Sequence, residues 1–256
     1  MSQPITGKSI WITGAGSGIG RSLALALAAA DNRVAISGRD EGKLAEVAGH
    51  YPDRIVVVPC DVTKDEAMAA VGATLGESFD SFDVCILAAG HCEYIENAQL
   101  DIALFRRVFD VNLFGLVNSA SVALPLLRQS AHKGQLVVVG SLSAVLPLPR
   151  AEAYGASKAA MNYLADSLRL DLKAAGVDVC VANPGFVKTP MTDANDFPMP
   201  FLMDADEAAQ RIINGIARRK RRINFPRRFY WMLASLAAVP ALWYGGIGQK
   251  FSRSQS

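Results

Sequence analysis

Tyr154 and Lys158 stand four positions apart in YGASK, residues 154–158, inside an alanine-rich run with helical preference. At that spacing two side chains share one face of a helix. A phenol with an ordinary pKa near ~10 is a poor acid–base group at neutral pH, and a nearby ammonium favours the phenolate and lowers that value. A carbonyl substrate also needs a hydrogen-bond donor on its oxygen. Ser141, in VVVGSLSA just past an apolar run, offers one. Asn112, in DVNLFG, lies in an apolar helical stretch where an amide needs a specific partner. Each residue alone fits an ordinary structural role, so the weight rests on what positions them together.

Apolar, β-branched runs alternate with longer helical patterns along the chain. Strands are predicted at 9–13, 33–37, 54–58, 83–87, 135–139 and 178–182, with INF at 223–225 as a seventh, edge strand. Their near-continuous apolar character suits a parallel sheet covered on both faces. TKDE at 63–66 and DADE at 204–207 each place a capping residue three before a glutamate. Repeated β-α-β units imply one doubly wound α/β domain over about residues 1–225, with right-handed crossovers.

TGAGSGIG, residues 13–20, follows the first strand and opens the first helix. Its glycines allow a tight turn and close approach to a pyrophosphate, which a helix N-terminus attracts. The second strand ends ISGRDEGKL, where an NAD-preferring site usually has an acid on the ribose hydroxyls. Here Gly38 and Arg39 stand there. A guanidinium pairs well with a 2′-phosphate, while Asp40 suits the cap of the next helix. NADP(H) is the expected cofactor, with NAD(H) also possible.

The spacing T-G-x-x-x-G-x-G, together with Asn112, Ser141, Tyr154 and Lys158 in that order, resembles the classical-type short-chain dehydrogenase/reductase family over about residues 7–225. The resemblance implies a Rossmann-type, mostly parallel sheet of about seven strands flanked by helices. It implies a catalytic tetrad of Asn112, Ser141, Tyr154 and Lys158. In it Ser141 holds the carbonyl oxygen, Tyr154 gives the proton, Lys158 tunes the phenol and binds the nicotinamide ribose, and Asn112 holds a relay water. Gly14, Ser17, Gly18, Ile19, Gly20, Ala89 and Gly90 would line the cofactor. Asp61 would face the adenine, Val62 would pack on it, and Pro184, Gly185, Val187 and Thr189 of NPGFVKT would meet the carboxamide. Ala88 departs from the family, which usually has asparagine there. The implied activity interconverts a carbonyl and an alcohol; the rival reading is a non-catalytic NADP(H)-binding sensor or scaffold. Family members commonly form homo-oligomers.

Phe197, Met199, Phe201, Leu202 and Met203 lie in a substrate loop at about 190–203, which suits a lipophilic substrate. Cys60, Cys85, Cys92 and Cys180 show no C-x-x-C pair, so a disulfide framework or metal site is not expected and a cytoplasmic setting is. The start MSQPITGKSIWITG carries no apolar signal segment.

Charge is uneven. Nine Lys or Arg and no acid follow position 217, so a tail of +9 sits on a body of −7 within the net +2. Residues 229–249 of the extension 226–256 carry no charge. A helix lying at a membrane surface, with Trp231 and Trp243 inserted, is one reading of 226–249. A helix buried against the body or between subunits is another. Nucleic-acid binding is not expected, because the basic run lacks a recognisable binding fold.

Overall fold

Every apolar run predicted as a strand enters one sheet. The computed structural model describes residues 5–96 and 98–248. Its strands are β1 (Ser9–Thr13), β2 (Arg33–Ser37), β3 (Ile55–Val57), β4 (Val84–Leu87), β5 (Gln135–Val139), β6 (Asp178–Pro184) and β7 (Arg222–Phe225). All pair in parallel, in the order β3-β2-β1-β4-β5-β6-β7. The order reverses between β1 and β4, and such a switch opens a crevice at the carboxyl ends of the strands. In register, Ile10 lies beside Val34 on one side and Val84 on the other.

Alternate residues of these strands face opposite ways, so each face receives its own core. Ile10, Ile12, Ile36 and Ile86 join one core with residues of α1 (Gly18–Ala29), α2 (Glu41–Gly49) and α8 (Ala205–Ala217). Trp11, Cys85, Leu136 and Val138 join the other, with residues of α3 (Asp65–Ser78), α5 (Gly115–Arg128) and α6 (Glu152–Asp171). Burial on both faces explains why the strands read as unbroken apolar runs. Cys60, Cys85 and Cys180 are buried here, and all four cysteines are free thiols.

Two caps differ from the expectation. The residue before α3 is Lys64, not Thr63, and it makes no side-chain cap bond. Thr63 is drawn elsewhere: its backbone N–H and its hydroxyl both donate to Asp61 Oδ1, at 3.0 and 2.8 Å. Asp204 does precede α8, but its carboxylate reaches towards Lys188 instead of capping. Asp40 behaves as expected, accepting the Lys43 N–H at 3.0 Å at the start of α2.

The helix α4 (Ile102–Phe109) continues into α5 through one π-turn, Asp110–Phe114. The run Ile102–Arg128 is long and apolar enough to cross a membrane. Its Leu116, Ala120, Ala123 and Leu127 are instead spent on the core beneath the sheet. Beyond β7, α9 (Arg227–Ala238) and the segment Pro240–Ile247 meet at a bend of 97°. Phe229 and Leu233 of α9, with Trp243, are buried against Leu142 and Leu146.

Candidate active site

The glycine turn between β1 and α1 is shaped by contacts that exclude side chains. Gly14 has φ +70°, and a Cβ there would stand 2.7 Å from the Ala89 nitrogen. A Cβ on Gly20 would stand 2.2 Å from the Gly14 carbonyl oxygen, and one on Gly18 2.8 Å from Thr189 Cγ2. Backbone therefore lines the turn where a pyrophosphate needs close approach. The Thr13 hydroxyl accepts the N–H groups of Ala88 and Ala89 at 3.2 and 3.3 Å. That pair ties the tips of β1 and β4 together, although Ala88 cannot supply the side-chain amide usual at its position.

A cleft of about 340 Å³ runs along the strand ends. Under β2 and β3 it is walled by Arg39, Asp61 and Val62, and past β1 by Ser17, Gly18, Ile19 and Gly20. Ala89 and Gly90 follow from β4, then Ser141, Tyr154 and Lys158, with Pro184, Gly185, Val187 and Thr189 opposite. Lys43 also lines the Arg39 end, a cation the sequence reading missed although it stands only four residues on. Arg39 is exposed, whereas Asp40 is committed to its cap and to an ion pair with Lys43 at 3.3 Å. The residues present thus fit a dinucleotide laid from Arg39 to Tyr154.

Ser141 is placed by Asn183, a wholly buried amide the sequence reading did not single out. Asn183 Oδ1 accepts the Ser141 N–H at 3.0 Å, and its Nδ2 donates to Asn224 Oδ1 at 3.1 Å. The signal was present: an asparagine inside β6 must satisfy its amide or pay for burial. The Ser141 hydroxyl in turn bonds the Tyr154 phenol and accepts the Ser143 N–H at 3.1 Å.

Asn112 is the one expected tetrad member that does not line the cleft. Its Nδ2 donates to the His91 carbonyl and to Ser157 Oγ, both at 2.9 Å, and its Oδ1 accepts the His91 N–H at 2.8 Å. Both of its N–H donors are therefore engaged. The amide pins the loop after β4 to α6 at Ser157, the residue before Lys158. A Cβ on Gly90 would lie 3.5 Å from both Asn112 Oδ1 and Lys158 Nζ, an ordinary contact, so the loop passes close beside both groups.

Electrostatics at Tyr154 run opposite to the expectation. Burial raises the phenol well above its ordinary value, the nearby Cys92 adds to this, and the Ser141 hydrogen bond only partly offsets it. Burial outweighs whatever the Lys158 charge contributes; Lys158 Nζ donates to the Val139 carbonyl at 3.1 Å and lies 5.7 Å from the phenol ring centroid. The same burial brings Lys158 down to about 8, with Cys92 opposing. Cys92 itself is pushed up to about 11 by burial, despite the hydrogen bond from Tyr94. At neutral pH Tyr154 therefore holds its proton.

Near Tyr154, past the residues that line the cleft, stands an aromatic cluster. Tyr94 meets Phe197 edge-on at 5.4 Å, Phe197 meets Phe186 at 6.0 Å, and Phe186 stacks on Phe229 at 5.6 Å. Arg150 ties the two sides, pairing with Glu96 and, at 2.8 Å, with Asp196. The loop after α7 (Pro190–Asp193) returns so that Lys188 N–H donates to Met203 O at 2.9 Å. Phe197 and Met203 are drawn inward, while Met191, Phe201 and Leu202 stay exposed.

The chain is similar to known proteins. An uncharacterized oxidoreductase of Myxococcus xanthus strain DK1622 is 35% identical over 236 residues, covering 89% of each chain. One from Staphylococcus aureus strain N315 is 30% identical over 218 residues, covering 84% of this chain and 94% of that one. Two solved structures share the fold. A 3-ketoacyl-(acyl-carrier-protein) reductase from Brucella melitensis, complexed with NADH, has a TM-score of 0.79 at 23% identity, covering 86% of this chain and 97% of its own. L-sorbose reductase from Gluconobacter frateurii, complexed with NADPH and L-sorbose, has a TM-score of 0.76 at 22% identity, covering 88% and 97%. The family model for short chain dehydrogenase matches residues 8–197, which take in the glycine turn, Ser141, Tyr154, Lys158 and the Pro184–Gly185 turn. With the strand-end cleft, this makes the chain an oxidoreductase of the short-chain dehydrogenase family.

Proposed function

We propose that this oxidoreductase uses NADP(H) in preference to NAD(H) and acts as a carbonyl reductase on an apolar ketone or aldehyde, or on the matching alcohol in reverse. The observation that carries the cofactor reading is the β2 tip. Asp40 and Asp61 also line that end of the cleft, but Asp40 is held by its helix cap and Asp61 by Thr63, which leaves Arg39 and Lys43 as the cations there. A 2′-phosphate would find two cations there, the guanidinium offering paired donors.

The nicotinamide, when bound, supplies or removes a hydride. The protein's own groups do the rest. Ser141 Oγ and the Tyr154 phenol stand side by side, so that each can turn its hydroxyl hydrogen from its neighbour to one carbonyl oxygen. Tyr154, protonated at neutral pH, gives its proton to that oxygen as charge develops. Lys158, anchored on Val139 O, supplies positive charge behind the phenol and a donor for a ribose hydroxyl. Asn112 acts as a positioning residue, fixing the backbone at His91 and, through Ser157, the helix that carries both Tyr154 and Lys158. The aromatic cluster of Tyr94, Phe186 and Phe197 near Tyr154 supports an apolar substrate body. Exposed Phe114 at the end of the π-turn, with Val117 on α5 and Tyr163 and Leu170 on α6, supports assembly with further copies.

Arg39→Leu tests the cofactor reading. It should weaken NADPH binding by roughly 10- to 100-fold, as expected for losing a charge-assisted contact, and leave NADH nearly unchanged. Equal weakening of the two dissociation constants would mean that Arg39 does not read the phosphate.

The low Lys158 value implies a pH dependence. The ammonium is kept below about 8 and lost above it. In the reduction direction kcat/KM should therefore be level at neutral pH and fall as pH rises past about 8. In Lys158→Arg, whose charge persists, whatever activity remains should lack that fall. A wild-type profile flat to pH ~10, an ordinary lysine value, would show that the charge of Lys158 is not used.

A further inference from the structure

The basic, apolar extension has two faces that the structure separates, and the reductase site uses only one. Phe229, Leu233 and Trp243 are its inner face, buried on Leu142 and Leu146, with the Trp243 Nε1–H donating to the Pro147 carbonyl at 3.1 Å. Trp243 is therefore an anchor to the body and not, as the sequence suggested, a second membrane-inserting indole. The outer face is unlike it. Arg227 and Trp231, and Arg228 and Met232, stand one turn apart on the same exposed side of α9. Trp231 is 58% exposed, and past the bend Leu242 and Tyr244 are 56% and 62% exposed.

We propose that this outer face docks on an anionic lipid surface. The 97° bend at Val239 rules out one straight span and suits a segment lying flat. Charge selects the lipid's sign. Arg219 and Arg222 are paired with Asp178 and Asp166, whereas Arg227 and Arg228 have no acidic partner among the described residues. Two cations beside exposed indole, thioether and aliphatic side chains match a headgroup region over acyl chains. A second copy fits worse, because a two-fold contact of this face with itself would gather its arginines with no acidic side chain to meet them. Phosphodiester chains alone would leave Met232 and Leu242 in water.

Docking would set the cleft at the lipid. Phe229 reaches from the inner face to Phe186, and Leu142 follows Ser141 directly. An apolar substrate would then pass to Tyr154 from the bilayer side. The docking itself does not depend on the redox reading.

The test uses the full chain with vesicles of phosphatidylcholine alone and with about one third phosphatidylglycerol. Each arginine near such a surface is worth about fivefold in partitioning, so Arg227→Gln with Arg228→Gln should lower binding to the anionic vesicles about 25-fold. Trp231→Ser with Leu242→Ser should lower it at least tenfold. Both double variants should keep the parental Tm, NADPH affinity and sedimentation mass. Trp11 and Trp243 are already buried, so a vesicle-induced blue shift must come from Trp231 and should vanish in Trp231→Phe. Failure of the parent to sediment with anionic vesicles at low salt would overturn the proposal. So would double variants that bind like the parent, or that dissociate an oligomer, or a parent that binds single-stranded RNA and ignores lipid. A docked protein with no reductase activity would leave the docking intact and count only against the reductase reading.

Discussion

Tyr154→Phe should lose turnover by about 1,000-fold or more while binding NADPH as the parent does, in line with the 100- to 10,000-fold usually supplied by a positioned acid. The phenyl ring keeps its place on α6, and only the hydroxyl is removed. Two things go with it: the proton the phenol carries at neutral pH, and one of the two donors presented to the carbonyl oxygen. Ser141 retains its placement through Asn183, so the substitution leaves the cleft's shape intact. Cofactor affinity, followed by NADPH fluorescence, separates a chemical loss from a binding loss. A variant that keeps more than a few per cent of parental kcat on an accepted substrate would remove Tyr154 from the proton-transfer role. Ser141→Ala should cost less, because the phenol remains as donor and acid.

The opposite pKa direction at Tyr154 shows what sequence spacing conveys and what it omits. Two residues four apart on α6 do share a face. Yet the lysine's hydrogen bond to Val139 O depends on where β5 ends, and the phenol's enclosure depends on the loops carrying Cys92 and Tyr94. Neither is local to the motif. Asn112 makes the same point. Its burial was expected, and its partners at His91 and Ser157 come from a different loop and a different helix.

The fold was far more legible. In a parallel sheet each strand is buried on both faces, so strand identity shows as a plain apolar run, and β1, β2 and β5 match their predicted bounds to the residue. β3 is shorter than predicted, Ile55–Val57, although Arg54 and Val58 on either side still bond to β2. Caps were less legible, since a side chain such as Thr63 has several acceptors within reach and the sequence does not rank them. The extension was legible in composition only. Its uncharged run could serve a lipid or a core, and the structure assigns one face to the core, through Phe229, Leu233 and Trp243.

Gly14→Ala should damage both stability and cofactor binding, and Gly7→Ala should damage neither beyond a small shift. The comparison isolates close approach from backbone conformation. Both glycines have positive φ, +64° at Gly7 and +70° at Gly14, so a side chain at either costs roughly 1–2 kcal/mol in that region. A Cβ at Gly7 meets nothing within 4 Å. At Gly14 it would lie 2.7–2.8 Å from the backbone of Ala88 and Ala89, which has no flexible end to swing aside. The strain must then part the tips of β1 and β4, where the Thr13 hydroxyl holds two N–H groups. That tip is also where the cleft meets the start of α1, so the same displacement moves the turn on which a pyrophosphate would rest. NADPH affinity should fall by about 100-fold, an amount set by about 2.7 kcal/mol of lost contact and strain, and Tm should drop further than in Gly7→Ala. If Gly14→Ala instead binds NADPH as the parent does, β1 and β4 do not approach as closely as their tips indicate, and the glycine serves only its turn.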